Sequence, residues 1–538
     1  LSVAPRGHAD RDAVLGQLLP AFEGHAPPAW LLRRVAAAHA HGVTLFLRAN
    51  AESASQLAAL AERLHAVAPG GLPLLIGADQ EGGQLVGLGH DTTRFPGAMA
   101  LGAADDEALT EAVGRATASE LRALGITVCY APVCDLADSP ANISLGTRVF
   151  GSDPTGVGRQ AAAFTRGLMA GGVVATPKHF PGFGAVDVDP HYRLGVVESD
   201  REALKARELV PFQAAFAAGA GMVMSAHVAV PAITGDRSLP ATEAREVMDG
   251  LLRRDLRFGG VSITDAMDMK AVAQGSAGIV DSIMALRAGV DLLLLTPDRA
   301  AQRRLEAGLR QAALRGLLPG ARTRAARARA LRLRHWLAGF GPPASDVVRS
   351  EAHETLSRRA AASAITLVRD DAGLLPLRPS PGQRIAVITP TPRDLTPADS
   401  SVDEPLDLAG AVRRRYGEVE DIRVGSSPDD GDIGRARRAA AGADLAIVAT
   451  LAASVEPRQV RLVEAILSTG RPTVTIAMRT PYDLAAYPAS ATHLCSYAIV
   501  PASVEAVADA LFGRAATAGR LPVAIPGLYP RGHGMEVR

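Results

Sequence analysis

Between positions 178 and 191 the chain gathers one lysine, two histidines and two aspartates. The segment reads Lys178-His179-Phe180-Pro181-Gly182-Phe183-Gly184 and continues to Asp187, Asp189 and His191. Glycine and proline at these positions exclude a long helix or a central strand, so the side chains are expected on a loop. An apolar, strand-like run from Gly172 to Thr176 precedes it, and titratable groups on a loop after a strand commonly carry function. By composition alone a polar surface loop fits equally well. The lysine adds weight, because Lys178, Lys205 and Lys270 are the only lysines in an otherwise arginine-rich chain. A compact ammonium site is one that arginine does not fit.

Two such groups on either side of a sugar can cleave a glycosidic bond: a carboxylate beside the anomeric carbon and a proton donor to the leaving oxygen. Asp265, in Thr264-Asp265-Ala266-Met267, sits at a strand end among apolar neighbours and suits the first role. Capping a following helix is its other reading. His191, with an ordinary pKa of about 6.5, suits the second. Asp189 lies two positions earlier, on the same side of an extended segment, and Pro190 favours that extension. Contact between them would orient the imidazole and favour its protonated form.

Stepping outward, the first part of the chain alternates short apolar runs with helical patterns. Strands are expected at 15–19, 43–47, 73–77, 127–131, 173–176, 222–224, 261–264 and 291–295. Eight buried strands separated by helices predict an α/β fold of (β/α)8 TIM-type barrel over residues 1–340, with a doubly wound open sheet as the competing architecture. In a barrel, chemistry sits at the C-terminal strand ends. Those ends carry Asn50, Asp79-Gln80-Glu81-Gly82-Gly83, Asp135, Lys178-His179, His227 and Asp265. The basic stretch from Ala321 to Leu337 reads as an exposed helix closing the barrel. Gly341-Pro342-Pro343 begins a linker and helix over 341–363, and apolar runs from Ala364, Ile385, Ala443 and Pro472 predict an α/β three-layer sandwich over 364–538. No GxGxxG or P-loop occurs there, so a nucleotide site is not expected.

A formal net charge of +1 with 48% hydrophobic residues gives no electrostatic case for nucleic acid. The three cysteines, Cys129, Cys134 and Cys495, lack metal or disulfide spacing, and no metal is expected. No apolar run reaches a membrane-spanning length. No signal peptide is visible from Leu1, which leaves cytoplasmic or exported location open, as is oligomeric state.

Taken together, Lys178-His179-Phe180-Pro181-Gly182, Gly184 and Asp189-x-His191 resemble glycoside hydrolase family 3, in its β-N-acetylglucosaminidase branch. Asp79-x-Glu81-Gly82-Gly83, Arg148 within Gly146-Thr147-Arg148-Val149-Phe150, Asp265, and the Ala364–Leu377 run match further motifs in order. The resemblance spans nearly the whole chain. It implies a retaining exo-β-N-acetylglucosaminidase acting on glycans such as muropeptides or chitooligosaccharides, with Asp265 as nucleophile and His191 as acid/base supported by Asp189. Asp79, Arg148, Lys178 and His179 would bind the sugar, and no cofactor is implied. Phe183 and Pro190 depart from the family loop, and Gln84 and Gly87 stand where it often has arginine. Two other readings stay open: a phosphorylase, because a neutral histidine does not repel phosphate, and a non-catalytic sugar-binding protein.

Overall fold

The fold was obtained as a computed structural model, and the structure describes residues 12–89, 91–186, 189, 192–272, 277–341, 344 and 346–536. Eight principal strands occur in the first part of the chain, at the places the apolar runs predict. They are β1 (Leu18–Leu19), β2 (Gly42–Thr44), β3 (Leu75–Ala78), β4 (Val128–Cys129), β5 (Val174–Ala175), β6 (Met222–Ser225), β7 (Val261–Thr264) and β8 (Leu293–Leu294). All are buried along their length, which is why they read as continuous apolar runs rather than alternating ones. The first is shorter than expected, because Ala13–Gln17 forms a 3-10 turn ahead of it.

β2, β3, β4 and β5 form one parallel ladder, β6 pairs with β7, and β1 with β8. Parallel bridges Phe180–Ser225 and Ile263–Leu292 join neighbouring groups, and Thr44 N donates to Pro20 O at 3.0 Å. The arrangement is barrel-like, not a doubly wound sheet. Leu75, Val128, Val174, Met222, Val261 and Leu292 share one interior cluster.

The helix Gly320–Leu337 is not the exposed element its composition suggests. Ala330, Leu333 and Leu337 pack on the interior cluster, and Arg334 donates to the carbonyls of Leu72 and Pro73 at 2.8 Å each. The helix therefore closes the end of the barrel where strands begin. Its buried stripe at helical spacing is hidden among arginines, of which Arg324, Arg327 and Arg332 are exposed.

The second part is a six-stranded mixed sheet. Its strands are β9 (Thr366–Asp370), β10 (Ile385–Pro390), β11 (Val419–Val424), β12 (Leu445–Thr450), β13 (Thr473–Ala477) and β14 (Thr492–Cys495). Their spatial order is β9-β14-β13-β12-β10-β11, antiparallel only between β9 and β14. Ala386, Ile388, Ala446 and Val448 point into one core, whereas Ile385, Val387, Ile447 and Ala449 point into another. That period-2 division, with helices over both faces, is the three-layer arrangement. The half-exposed edge strand β11 and the polar β14 escape the apolar-run reading. Between the two parts, the helix Glu351–Ala364 packs on Ala98–Ala104 and Glu107–Ala123 on one side and on Pro501–Leu511 on the other.

Candidate active site

The segment after β5 is buried and held by its backbone. Lys178, His179, Phe180 and Phe183 all lie under 5% exposed, so the surface-loop reading fails. Lys178 N donates to Pro132 O at 3.0 Å, Phe180 N to Met224 O at 2.8 Å and Ala226 N to Phe180 O at 2.7 Å. These bonds wedge the segment between the ends of its neighbours. Glycine is required at one point: a Cβ on Gly184 would lie 1.8 Å from Leu136 O. Asp135 fastens the turn from below. Its carboxylate accepts His179 N at 3.1 Å, His179 Nδ1 at 2.7 Å and Phe183 N at 2.9 Å. His179 Nε2 lies 3.5 Å from Arg148 Nη2.

Glu81 is the hub of the cationic side. Arg148 donates to it through Nε and Nη2, both at 2.8 Å, in a planar fork. Lys178 Nζ lies 2.6 Å from Glu81 Oε1 and 2.5 Å from Asp79 Oδ1. Burial would raise the Glu81 pKa, but Arg148 and Lys178 outweigh it and hold the carboxyl down at about 2. Burial would likewise lower the Lys178 pKa, and Asp79 with Glu81 keep it above the ordinary lysine value. Glu81, Arg148 and Lys178 are therefore fixed in their charged forms. Of these carboxylates Asp79 is the accessible one, its side chain 25% exposed against 4% for Glu81.

Asp265 follows β7. Its backbone N donates to Ser225 O at 3.0 Å, and its Oδ1 accepts Ala266 N at 2.8 Å. The next described helix is Ala277–Ala288, so Asp265 caps none. His227 is buried beside it with a lowered pKa: burial disfavours the imidazolium more than the Asp265 charge supports it. Asn50 is spent on structure, donating to Phe22 O and Gly24 O and accepting from Phe46 N. His191, Asp187 and Pro190 lie outside the described residues.

A cavity of about 250 Å³ brings together Asp79, Arg148, Lys178, His179, Asp189 and Asp265. Sequence reasoning did not assign Glu81 or Asp135 a role, although both stand at strand ends; their function is to hold the groups that face the cavity. It also left open whether the second domain reaches the site. Pro397, Ala398, Asp399 and Ser400 form part of the cavity wall, and nothing local in that sequence signals it. Packing accounts for Gln84, Gly87 and Phe183. Gln84 Oε1 accepts Thr147 N at 3.1 Å, next to Arg148, and Gln84 O accepts Ser400 N at 3.0 Å. A Cβ on Gly87 would lie 2.6 Å from Asp79 O, so no side chain fits there. Phe183 sets its ring 5.1 Å from that of His179. Among the described residues no cluster of His, Cys, Asp or Glu could hold a metal ion, and no helix is long and apolar enough to cross a membrane.

Comparison with known proteins is consistent across both parts. Residues 25–333 match the glycosyl hydrolase family 3 N-terminal domain and residues 365–530 its C-terminal domain. The β-hexosaminidase A of Pseudoalteromonas piscicida is 32% identical over 363 residues, 63% of this chain and 60% of that protein. The β-hexosaminidase of Stenotrophomonas maltophilia is 38% identical over 288 residues, 52% of this chain and 83% of that one. A family 3 β-N-acetylglucosaminidase from Paenibacillus superimposes with a TM-score of 0.90 at 29% identity, covering 97% of this chain and 99% of its own. Its barrel-like domain, its mixed-sheet domain and the motifs they present at one cavity place this chain in glycosyl hydrolase family 3, to which it belongs.

Proposed function

We propose that the protein is a retaining exo-β-N-acetylglucosaminidase that removes a terminal β-linked N-acetylglucosamine. The supporting observation is one cavity lined by both an accessible strand-end aspartate, Asp265, and a fixed set of charged sugar-binding groups, Asp79, Lys178, Arg148 and His179. Charge-assisted hydrogen bonds from such groups to hydroxyls fix a pyranose in place. Asp265 attacks the anomeric carbon as the glycosidic bond breaks, and His191 gives its proton to the leaving oxygen. The glycosyl-aspartate is then cleaved by water, whose proton returns to His191. Asp189 holds the imidazole. The natural glycans are chitooligosaccharides or muropeptides.

The test is turnover of p-nitrophenyl β-N-acetylglucosaminide beside the β-glucoside, with and without phosphate. The N-acetyl sugar should be preferred, Asp265→Asn should abolish turnover, and His191→Ala should lower it by roughly a hundred- to ten-thousandfold. A 2-fluoro-sugar should label Asp265. A glycosyl phosphate formed only with phosphate would establish a phosphorylase instead, and binding without turnover a sugar-binding protein.

A further inference from the structure

The site cavity does not end at the sugar-binding groups. A second cavity of about 350 Å³ adjoins it, and the two share Leu47, Arg48 and Ser400 as walls. One side of this antechamber is the barrel segment 47–53. The other is the second domain's loop around Ser400 and Asp403. Ser400 ties the two together: its Oγ accepts Val86 N at 3.0 Å and its N donates to Gln84 O at 3.0 Å. A leaving sugar attached to a residue held at Asp79 and Asp265 has this antechamber as its neighbouring volume. The apolar faces of Leu47, Ala51 and Leu88 line it alongside the polar groups, as suits a pyranose ring.

Its charges decide what that sugar carries. Two cations line it, Arg48 and Arg94, and both are already paired with carboxylates of the second domain. Arg48 bonds Asp394 and lies 4.0 Å from Asp403, and Arg94 pairs with Glu404. Glu52 and Asp91 line the same cavity. Glu52 faces His25 at 3.1 Å, and Asp91 accepts Ala54 N at 2.8 Å. Among the described residues, then, no lining cation is left without a carboxylate partner, and the lining carboxylates exceed the cations. A carboxylate on the leaving sugar meets repulsion from this carboxylate-rich lining.

We infer that this interdomain antechamber is the leaving-group subsite and that it selects an uncharged or ammonium-bearing amino sugar over one bearing a carboxylate. The inference rests on the glycosidase reading and narrows its substrate class to oligosaccharides of glucosamine or N-acetylglucosamine. The probes are N,N′-diacetylchitobiose, the disaccharide whose reducing sugar carries a lactyl carboxylate, and the methyl ester of that disaccharide. Their kcat/KM values are compared in the wild type and in Asp403→Asn, at low and high salt. Kd values are measured in parallel by calorimetry on Asp265→Asn, so that selectivity is read even if turnover fails. Failure of turnover on every substrate with selective binding intact would overturn only the hydrolase reading.

The expected result is that the ester is preferred over the free acid by roughly two- to fivefold, the range exposed charges support. That preference should shrink in Asp403→Asn, which removes one lining carboxylate and leaves Arg48 bonded to Asp394, and at high salt. Equal or tighter use of the free acid by the wild type would overturn the inference. So would a preference indifferent to both Asp403→Asn and salt, or failure of every disaccharide to bind.

Discussion

Glu81 shows how an almost wholly buried side chain can govern a site. It neutralises Arg148 and Lys178 at once, and neither cation has another buried carboxylate within its fork. Removing it in Glu81→Ala leaves two buried cations with Asp79 alone, which should destabilise the fold by about 3–5 kcal/mol and be visible in thermal unfolding. Its depressed pKa sets an acid limit. Stability from this carboxylate is complete above its ordinary value of 4.5 and is lost as pH falls through about 2. Acid unfolding monitored by circular dichroism should therefore lose part of its steepness between those values in Glu81→Gln. Glu243 has the opposite sign. Burial, reinforced by the Asp281 charge, raises its pKa to about 8. The native state holds its proton where the unfolded chain has released it, so stability is full below 4.5 and declines as pH rises through about 8. Glu243→Gln should raise the Tm at pH 9 and leave it nearly unchanged at pH 4.

At the scale of the element, the second domain's loop from 394 to 404 depends on one buried ion pair. Asp399 accepts Arg479 Nη2 at 2.6 Å, Leu395 N at 3.0 Å and Ser401 N at 2.8 Å, with its own side chain fully buried. Arg479 follows the end of β13, so the sheet fixes the loop and the loop forms the cavity wall. Asp399→Ala strands a buried guanidinium and releases the wall. KM for a disaccharide should rise more than KM for the aryl glycoside, with smaller changes in kcat; equal rises would show that the loop does not contact the leaving group. On the barrel side, Gly184→Ala should displace the Lys178–Phe183 turn, because its Cβ meets the Leu136 carbonyl. Activity should fall while far-UV circular dichroism stays native.

Over the whole molecule the two domains share a clasp. Glu120 accepts Thr93 N at 2.8 Å, Thr93 Oγ1 at 2.6 Å, Arg349 N at 3.0 Å and His353 Nδ1 at 2.8 Å, and so binds the connecting helix Glu351–Ala364 to the barrel domain. With Ser400 joining the cavity rim, the domains should unfold in one calorimetric transition. Glu120→Ala should separate it into two.

Much of this was written locally. The eight apolar runs gave eight buried strands, because a strand covered on both faces must be apolar throughout, and the barrel order then followed from the alternation with helices. The motif residues were legible too: Asp79, Lys178, His179 and Asp265 at strand ends, with Arg148 and Asp189 from the motifs between them, stand around one cavity, whereas Asn50, expected at another strand end, lies in the helix Leu47–Asn50 and braces the backbone. Short-range pattern could not reveal β11 or β14, whose burial depends on their neighbours in the sheet, nor the buried stripe of the arginine-rich helix. It could not single out Glu81 and Asp135 from other strand-end acids, because their roles lie in partners 67 and 44 residues away. Nor could it place Ser400 against Val86, a contact across 314 residues. Periodicity and motif spacing report on a chain's own neighbourhood, so sequence determined the elements and the chemistry they carry. The charge pairing, the cavity wall and the antechamber arise only where distant segments meet, and those the tertiary structure decided.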